Sequence, residues 1–434
     1  MKRLQVQPSE EGAVMPRRRS PRLHPQTHAG PQIHASEDGA AMVRRHRTSS
    51  EAPASLLDNE DILWEILLRL PSQPSYLLRA SAVCKRWRRL VNDPQFLGHF
   101  RAHHRTPPLL GAFVCRRPHM ATEFAPILGP PDRIPPERFD LGSYSRWPAY
   151  RHVLDCRHGR VLVKDDLKHE VVVCDPVKGE QCRVSIPPEF KNTRAHIHGA
   201  VLCAAADHDH VHGSCHSTSF KVALLSMYRQ DSRPFACVYS SETDTWGNLI
   251  TVVEPCEPHG PLIPVTLIGN VLYCSILEFD FDRQSLAMIK GPCGINKLSR
   301  YHIIIKTEDG GVGLAVLSTP RIRIWQRKVN CEGVSTWLLQ KTIGMNKILR
   351  ISPRIKRNMG RLLGYDEDTD EICLYIYGSI YMVQLKSMQY RKLYKTNYYT
   401  DYHPFKSFYV PGDCSSLLLL LYEYSPDYVL DMIV

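Results

Sequence analysis

The sequence predicts a multidomain α plus all-β chain: a small N-terminal helical module followed by a β-propeller-like domain. Three observations carry this expectation. Residues 55–105 hold two segments whose apolar side chains recur at three- and four-residue spacing. From about residue 150 to 434, short β-rich runs such as RVLV, EVVVCD, HIIIK and EICLYIYG alternate with polar turns, and no long helical period interrupts them. Within that region a strand–polar turn–strand unit recurs, with onsets near 153, 220, 265, 301, 351 and 405. Such spacing suits four-stranded blades of about 40–50 residues with loop insertions, and favours a propeller over stacked sandwiches, the alternative that the ragged period leaves open.

Composition sets the frame. A chain of 434 residues is too long for one compact core. The net charge is +11, but residues 1–50 alone carry nine basic and four acidic side chains, a net +5. The large C-terminal body is close to neutral, which does not favour a nucleic-acid-binding body. Fourteen cysteines are scattered without any C-x-x-C pair. That pattern points to a reducing compartment, with localisation in the cytoplasm, the nucleus or both. The N-terminus lacks the apolar segment of a secretory signal, and the longest aliphatic run, LLLLL at 417–421, is too short to cross a membrane and reads as a buried strand.

Residues 1–54 are rich in Pro, Ser, Arg, His and Gln and read as a disordered basic tail, with RRR at 17–19 and RRHR at 44–47 as short basic clusters. Residues 106–149 are Pro-rich and read as a linker to the β domain at 150–434. Inside that domain VVVCDPVKGEQCRV (171–184), CVYSSETDTWGNL (237–249), ILEFDFDRQSLAMI (276–289) and LLGYDEDTDEICLY (362–375) each predict a hairpin, and Asp309-Gly310 marks another within 306–318.

The helical module is the most informative stretch. In DNEDILWEILLRLP (58–71), Asp58 is a good N-cap, Glu60 and Asp61 put negative charge in the first turn, and Leu57 can staple back onto Ile62. Pro71 ends the segment, and the helix is apolar almost all round. In SYLLRASAVCKRWRRLV (75–91), Val83, Cys84, Trp87, Leu90 and Val91 span an arc of about 120° on a helical wheel, and Lys85, Arg86, Arg88 and Arg89 occupy the rest. The cations are thus the complement of an apolar stripe. Asn92-Asp93-Pro94 closes this helix. About fifty residues cannot bury so much apolar surface alone, so the surplus predicts either a protein partner or packing against the β domain.

The run ILWEILLRLPSQPSYLLRASAVCKRWRRLVNDPQF resembles an F-box, over residues 57–96. The I-L-x-R-L-P end of the first segment and V-C-K-R-W-R-R-L of the second carry the likeness. LLDNEDILWEILLRLP is similar to plant F-box proteins, especially those of grasses. GNVLYCSILEFDFDRQSLAMI, GGVGLAVLSTPRIRIWQRKV and LLGYDEDTDEICLYIYGSIYMVQLKSMQYRKLY resemble their F-box-associated β-propeller-like domain. The resemblance implies a substrate-receptor subunit of an SCF-type ubiquitin ligase. The F-box would bind a Skp-type adaptor and, through it, a cullin, and the β domain would recruit an unknown protein target. Adaptor-facing positions implied by the family are Ile62, Leu63, Ile66, Leu67, Leu70, Leu78, Val83, Cys84, Trp87 and Leu90, some of which must serve the internal core. Asp58-Asn59 stands where many members have Leu-Pro. Catalysis in such assemblies belongs to the partners, so no catalytic residue and no cofactor is expected. The alternative is a nucleic-acid-binding regulator using the basic helix and tail.

Two further motifs are weighed and set aside. DHDHVHGSCH (207–216) alternates His208, His210 and His212, with Cys215 and His216 nearby, but matches no standard zinc spacing and reads as an inter-strand loop. YDEDTDE (365–371) has calcium-loop acids, yet Glu371 and Tyr377 stand where Gly and Glu are required. No metal site is assigned.

Overall fold

The structure is a computed structural model that describes residues 59–116, 121–139, 141, 151–193, 197–204, 212, 215, 218–228, 230, 232–252, 265–274, 277–292, 301–318, 321–349, 360–396 and 400–410. The tail at 1–54, Leu57, Asp58, His208, His210, His216 and the run at 417–421 lie outside the described residues.

Four helices open the described chain. Helix α1 (Glu60–Leu68) is capped by Asn59, whose side chain accepts from the amides of Asp61 (2.9 Å) and Ile62 (3.5 Å). The cap thus falls one residue later than the expected Asp58. The segment expected as one helix over 75–91 is two. Helix α2 (Pro74–Val83) stops at Cys84, which is extended (φ −161°), and α3 (Lys85–Val91) begins there. The local reason is competition for backbone groups. Ser81 Oγ donates back to the Leu78 carbonyl (2.6 Å), while Arg88 Nε donates to the Ser81 carbonyl (3.1 Å). A fourth helix, α4 (Pro94–His104), was not expected. Its signal was present: Asp93 caps the amides of Gln95 (2.8 Å) and Phe96 (3.1 Å), and Pro94 sits at the first helical position.

The core of this module joins Leu63, Leu67, Leu77, Ala80, Leu90, Val91, Phe96, Leu97 and Phe100. Phe408 and Val410 complete it from more than three hundred residues downstream. Leu78 points elsewhere, into an apolar cluster of the β domain, and Asp132 accepts from the Ser75 amide (2.9 Å). Part of the surplus apolar surface is therefore consumed within the same chain.

Six sheets follow. The stretch expected as a Pro-rich linker, 106–149, instead supplies strands β1 (Leu109–Arg116) and β2 (Ala121–Pro126). LLGAFVCR is nearly continuous in apolar character because both faces are buried, so it shows no alternation. Its other partner is non-local: β1 pairs antiparallel with both β2 and β24 (Thr400–Lys406) in blade one. Blade two is β3 (Arg151–Arg157), β4 (Arg160–Asp165), β5 (Glu170–Asp175) and β6 (Glu180–Ser185). Blade three is β7 (His198–Cys203), β8 (Phe220–Met227) and β9 (Pro234–Ser240), with the short β10 (Thr245–Trp246) and β11 (Ile250–Thr251) both on β9. Blade four is β12 (Val265–Ile268), β13 (Val271–Cys274), β14 (Leu277–Asp280) and β15 (Ser285–Met288). Blade five is β16 (His302–Lys306), β17 (Val312–Ser318), β18 (Arg321–Val329) and β19 (Ser335–Gly344). Blade six is β20 (Gly360–Asp366), β21 (Glu371–Ile376), β22 (Ser379–Gln384) and β23 (Tyr390–Lys395).

The strands β24, β3, β7, β12, β16 and β20 neighbour one another in that order, and β20 returns to β24. The blades therefore close into a six-bladed β-propeller. Closure depends on β24, a C-terminal strand added to two N-terminal ones, which leaves no open edge at the seam. Each of the six blade interfaces has its own apolar cluster. The seam between blades one and two is aromatic: Phe405 lies 5.5 Å from Phe113 and 5.4 Å from Phe139, ring centre to ring centre.

All five expected hairpins are present, and three of their turns, after Asp175, Asp280 and Asp366, share a device. A strand-end aspartate accepts amides in the turn that follows, as Asp175 does from Val177 and Lys178 (both 3.1 Å) and Asp280 from Asp282 and Arg283 (both 2.9 Å). The onsets inferred near 153, 265 and 301 match the first strands of blades two, four and five, and 405 falls within β24; near 220 β8 is the second strand and β7 begins the blade at His198, and 351 lies outside the described residues, with β20 beginning at Gly360.

Candidate functional site

The structure divides the ten family-implied positions. Leu63 and Leu67 are fully buried in the module core, and Leu90 joins them there. Leu78 is buried against the propeller. These four are structural and offer no surface to a partner. Leu70 and Trp87 pack partly on the core. Ile62 is half-buried, Ile66 is 43% exposed, Val83 is 53% exposed and Cys84 is exposed. Ile62 and Ile66 are one helical turn apart, so they share a face of α1. Val83 and Cys84 form the joint between α2 and α3. An ion pair between Arg89 and Glu60 (3.7 Å) sets α3 beside the start of α1. The helical module thus has a completed core and still exposes aliphatic side chains on adjacent elements. Tyr76, 38% exposed on α2, belongs with them and was missed, because its neighbours Leu77 and Leu78 dominate the local pattern. Lys85, Arg88 and Arg89 lie exposed, as expected for a solvated complement.

The second feature is a polar cavity of about 330 Å³ at the centre of the ring, lined by β3, β20 and β24 and the ends of β7 and β12. Arg157 crosses it. Its Nη1 donates to Asp155 (2.8 Å), and its Nη2 donates to Glu367 (2.5 Å) and to the Val265 carbonyl (3.3 Å). Glu367 also accepts from the Leu267 amide (2.7 Å), and Asp155 from the Val201 amide (3.0 Å). One guanidinium therefore links blades two, four and six, and its partner Asp155 reaches blade three. Burial works against the Arg157 charge, yet Asp155 and Glu367 outweigh it and hold the group protonated above its ordinary range. Sequence could not show this, because Val265 and Glu367 lie 108 and 210 residues from Arg157.

The acidic run at 365–371 is the turn between β20 and β21. Asp366 accepts from the Asp368 amide (3.1 Å), and Lys406 ion-pairs with both Asp366 and Asp368. His212 and Cys215, set aside above, are brought together with Cys203, and their ligand atoms all lie within 4.8 Å of one another.

A helical module of this kind ahead of a closed propeller defines the class of F-box proteins with a β-propeller domain, and family models agree on both parts. Residues 60–99 match the F-box-like model. Residues 152–412, more than half of the chain, match the family described as F-box protein AT5G49610-like, beta-propeller. The chain belongs to that family of plant F-box proteins. No curated protein matches it. Solved structures to which the chain is similar include the Dos1 propeller, at 8% identity and TM-score 0.28, covering 55% of this chain and 57% of that one. Oligogalacturonate lyase in complex with manganese aligns at 9% identity and TM-score 0.28, covering 55% and 62%. Penicillium chrysogenum α-L-arabinanase complexed with arabinobiose aligns at 9% identity and TM-score 0.30, covering 68% and 86%. The chain spans less than two thirds of the first two of these structures. Likeness at this level carries no functional information. Among the described residues, no helix is long and apolar enough to cross a membrane.

Proposed function

We propose that the chain is the substrate-receptor subunit of an SCF-type ubiquitin ligase, working in the cytoplasm or nucleus. The observation that carries this reading is the exposed set Ile62, Ile66, Tyr76, Val83 and Cys84 on a module whose own core is already filled. Apolar side chains left at the surface of a small helical module fit a partner that receives helices. Family membership supports a Skp-type adaptor as that partner, with a cullin joined through it. The propeller then holds a protein target, with recognition at the loops and at the mouth of the central cavity. The chain's contribution is proximity: a tethered target meets its ubiquitin donor at raised effective concentration, and bond chemistry stays with the partners. The exposed cations of α3 solvate its outer face, and nothing in their arrangement favours nucleic acid.

The test is co-purification of the full chain with a Skp-type adaptor. The double variant Ile66→Asp, Val83→Asp is expected to lose capture by about 100-fold or more while its melting temperature stays that of the parent. Failure of the parent chain to bind any such adaptor, or equal capture by parent and variant, overturns the reading.

A further inference from the structure

We infer that Cys203, His212 and Cys215 form a zinc site on the rim of the central cavity. Cys203 ends β7, and the other two lie in the connection from β7 to β8. Their three ligand atoms fall within 4.8 Å of one another, and Cys215 Sγ is 3.6 Å from His212 Nδ1. With Zn–S of about 2.3 Å and Zn–N of about 2.0–2.1 Å, the sulfur–nitrogen edge of a tetrahedron is about 3.5–3.6 Å, and the sulfur–sulfur edge about 3.8 Å. The observed separations leave space for one ion at the centre with small adjustments.

The surroundings hold these donors in place, as supporting residues do at metal sites. The Cys203 amide donates to His158 Nδ1 (3.1 Å), and the His158 ring stacks on His212 at 3.7 Å between centroids, 15° from parallel. His158 reaches this position from the two-residue turn between β3 and β4, where it and Gly159 both take positive φ (56° and 76°). The Cys215 carbonyl is held by the buried Arg160 guanidinium and by Thr218 Oγ1 (3.0 Å), and Thr218 Oγ1 also lies 3.4 Å from Cys203 Sγ. Both cysteines are thiols rather than a disulfide.

Donor chemistry selects the ion. Two thiolates and one imidazole suit Zn²⁺ over the hard oxygen-seeking cations, and the two thiolates neutralise its charge in a half-buried setting. Water fills the fourth corner. Binding releases two protons, one from each thiol, and no redox step is involved. The consequence is a staple: zinc would tie His212 and Cys215 to the end of β7, beside the rim that His212 shares with the central cavity. This inference does not depend on the ubiquitin-ligase reading.

The test uses untagged full-length protein. Zinc content is measured after purification, and Zn²⁺ affinity is measured by competition with a chromophoric chelator. Co²⁺ substitution reports geometry through its visible absorption. One zinc per chain is expected, with the intense tetrahedral, thiolate-bearing Co²⁺ spectrum. Cys203→Ser, Cys215→Ser and His212→Asn should each weaken Zn²⁺ by about 100-fold or more, while Cys331→Ser, an exposed cysteine elsewhere, changes nothing. His212→Asn covers the case in which a cysteine variant fails to fold. No stoichiometric Zn²⁺ binding by the parent, undiminished binding by His212→Asn, preferential binding of a different metal at these residues, or a Cys203–Cys215 disulfide in reduced protein each overturns the inference.

Discussion

Replacing Arg157 by Met tests whether a single cation ties the propeller together across its centre. The side chain is 10% exposed, and its carboxylate partners Asp155 and Glu367 are 9% and 21% exposed. Methionine keeps most of the volume and removes every donor. Both carboxylates then lose their cation in a poorly solvated space, although each keeps one backbone amide, from Val201 and Leu267. Removing one partner of a buried ion pair costs about 3–5 kcal/mol. At about 2 °C per kcal/mol for a domain of this size, the melting temperature should fall by about 6–10 °C. A pH dependence follows. Burial pushes the Glu367 carboxyl up, and Arg157 pulls it back. In the variant that pull is gone, so the folded-state value rises further above the unfolded one. A raised carboxyl contributes stability that is present at low pH and lost as pH rises through the folded value. The deficit of the variant should therefore be smaller at pH 5 than at pH 8. The assay is urea denaturation of parent and variant at both pH values. A deficit under about 1 kcal/mol, or an equal deficit at the two pH values, refutes the reasoning.

Two predictions concern the seam where the ring closes. Phe405→Ala empties the aromatic cluster shared with Phe113, Phe124 and Phe139 and should cost about 3–5 kcal/mol, with β24 becoming the earliest site of limited proteolysis; cleavage elsewhere first would contradict closure through this strand. His403, also on β24, has its Nε2 buried without a hydrogen-bond partner among the described residues, and burial lowers its pKa against the opposing pull of Asp401 and Asp155. A depressed histidine contributes stability present above its ordinary value near 6.5 and lost as pH falls below it, by up to about 1.4 kcal/mol per pH unit. The parent should therefore lose stability faster than His403→Gln between pH 6.5 and 5.5, and parallel curves would remove His403 as the cause.

The helical module shows where one-dimensional reasoning stops. The apolar spacing in 60–91 was enough to place helices and, through its motifs, the family. Yet Leu67 and Ile66 are equally apolar neighbours on one helix, and one is buried in the core while the other is 43% exposed. The difference comes from Phe96, Phe100, Phe408 and Val410, which fill the space beside Leu67. A charge at Leu67 would therefore report unfolding, whereas a charge at Ile66 reports a surface. The break at Cys84 was hidden for a similar reason, since the Arg88 side chain that takes the Ser81 carbonyl reads in sequence as one more solvated cation.

The sequence by itself determined the order of modules, the hairpins and their turn residues, because alternation, helical spacing and Asx turns are set by neighbours a few residues apart. Only the tertiary structure decided that the ring has six blades, that residues 109–126 are part of it, and that β24 closes it. It also decided that Arg157 bridges three blades and that Cys203 meets His212 and Cys215. These are contacts between distant segments, made when a closed ring brings its inner strands around one axis. No local pattern encodes which strand a strand will meet after the chain has gone once around.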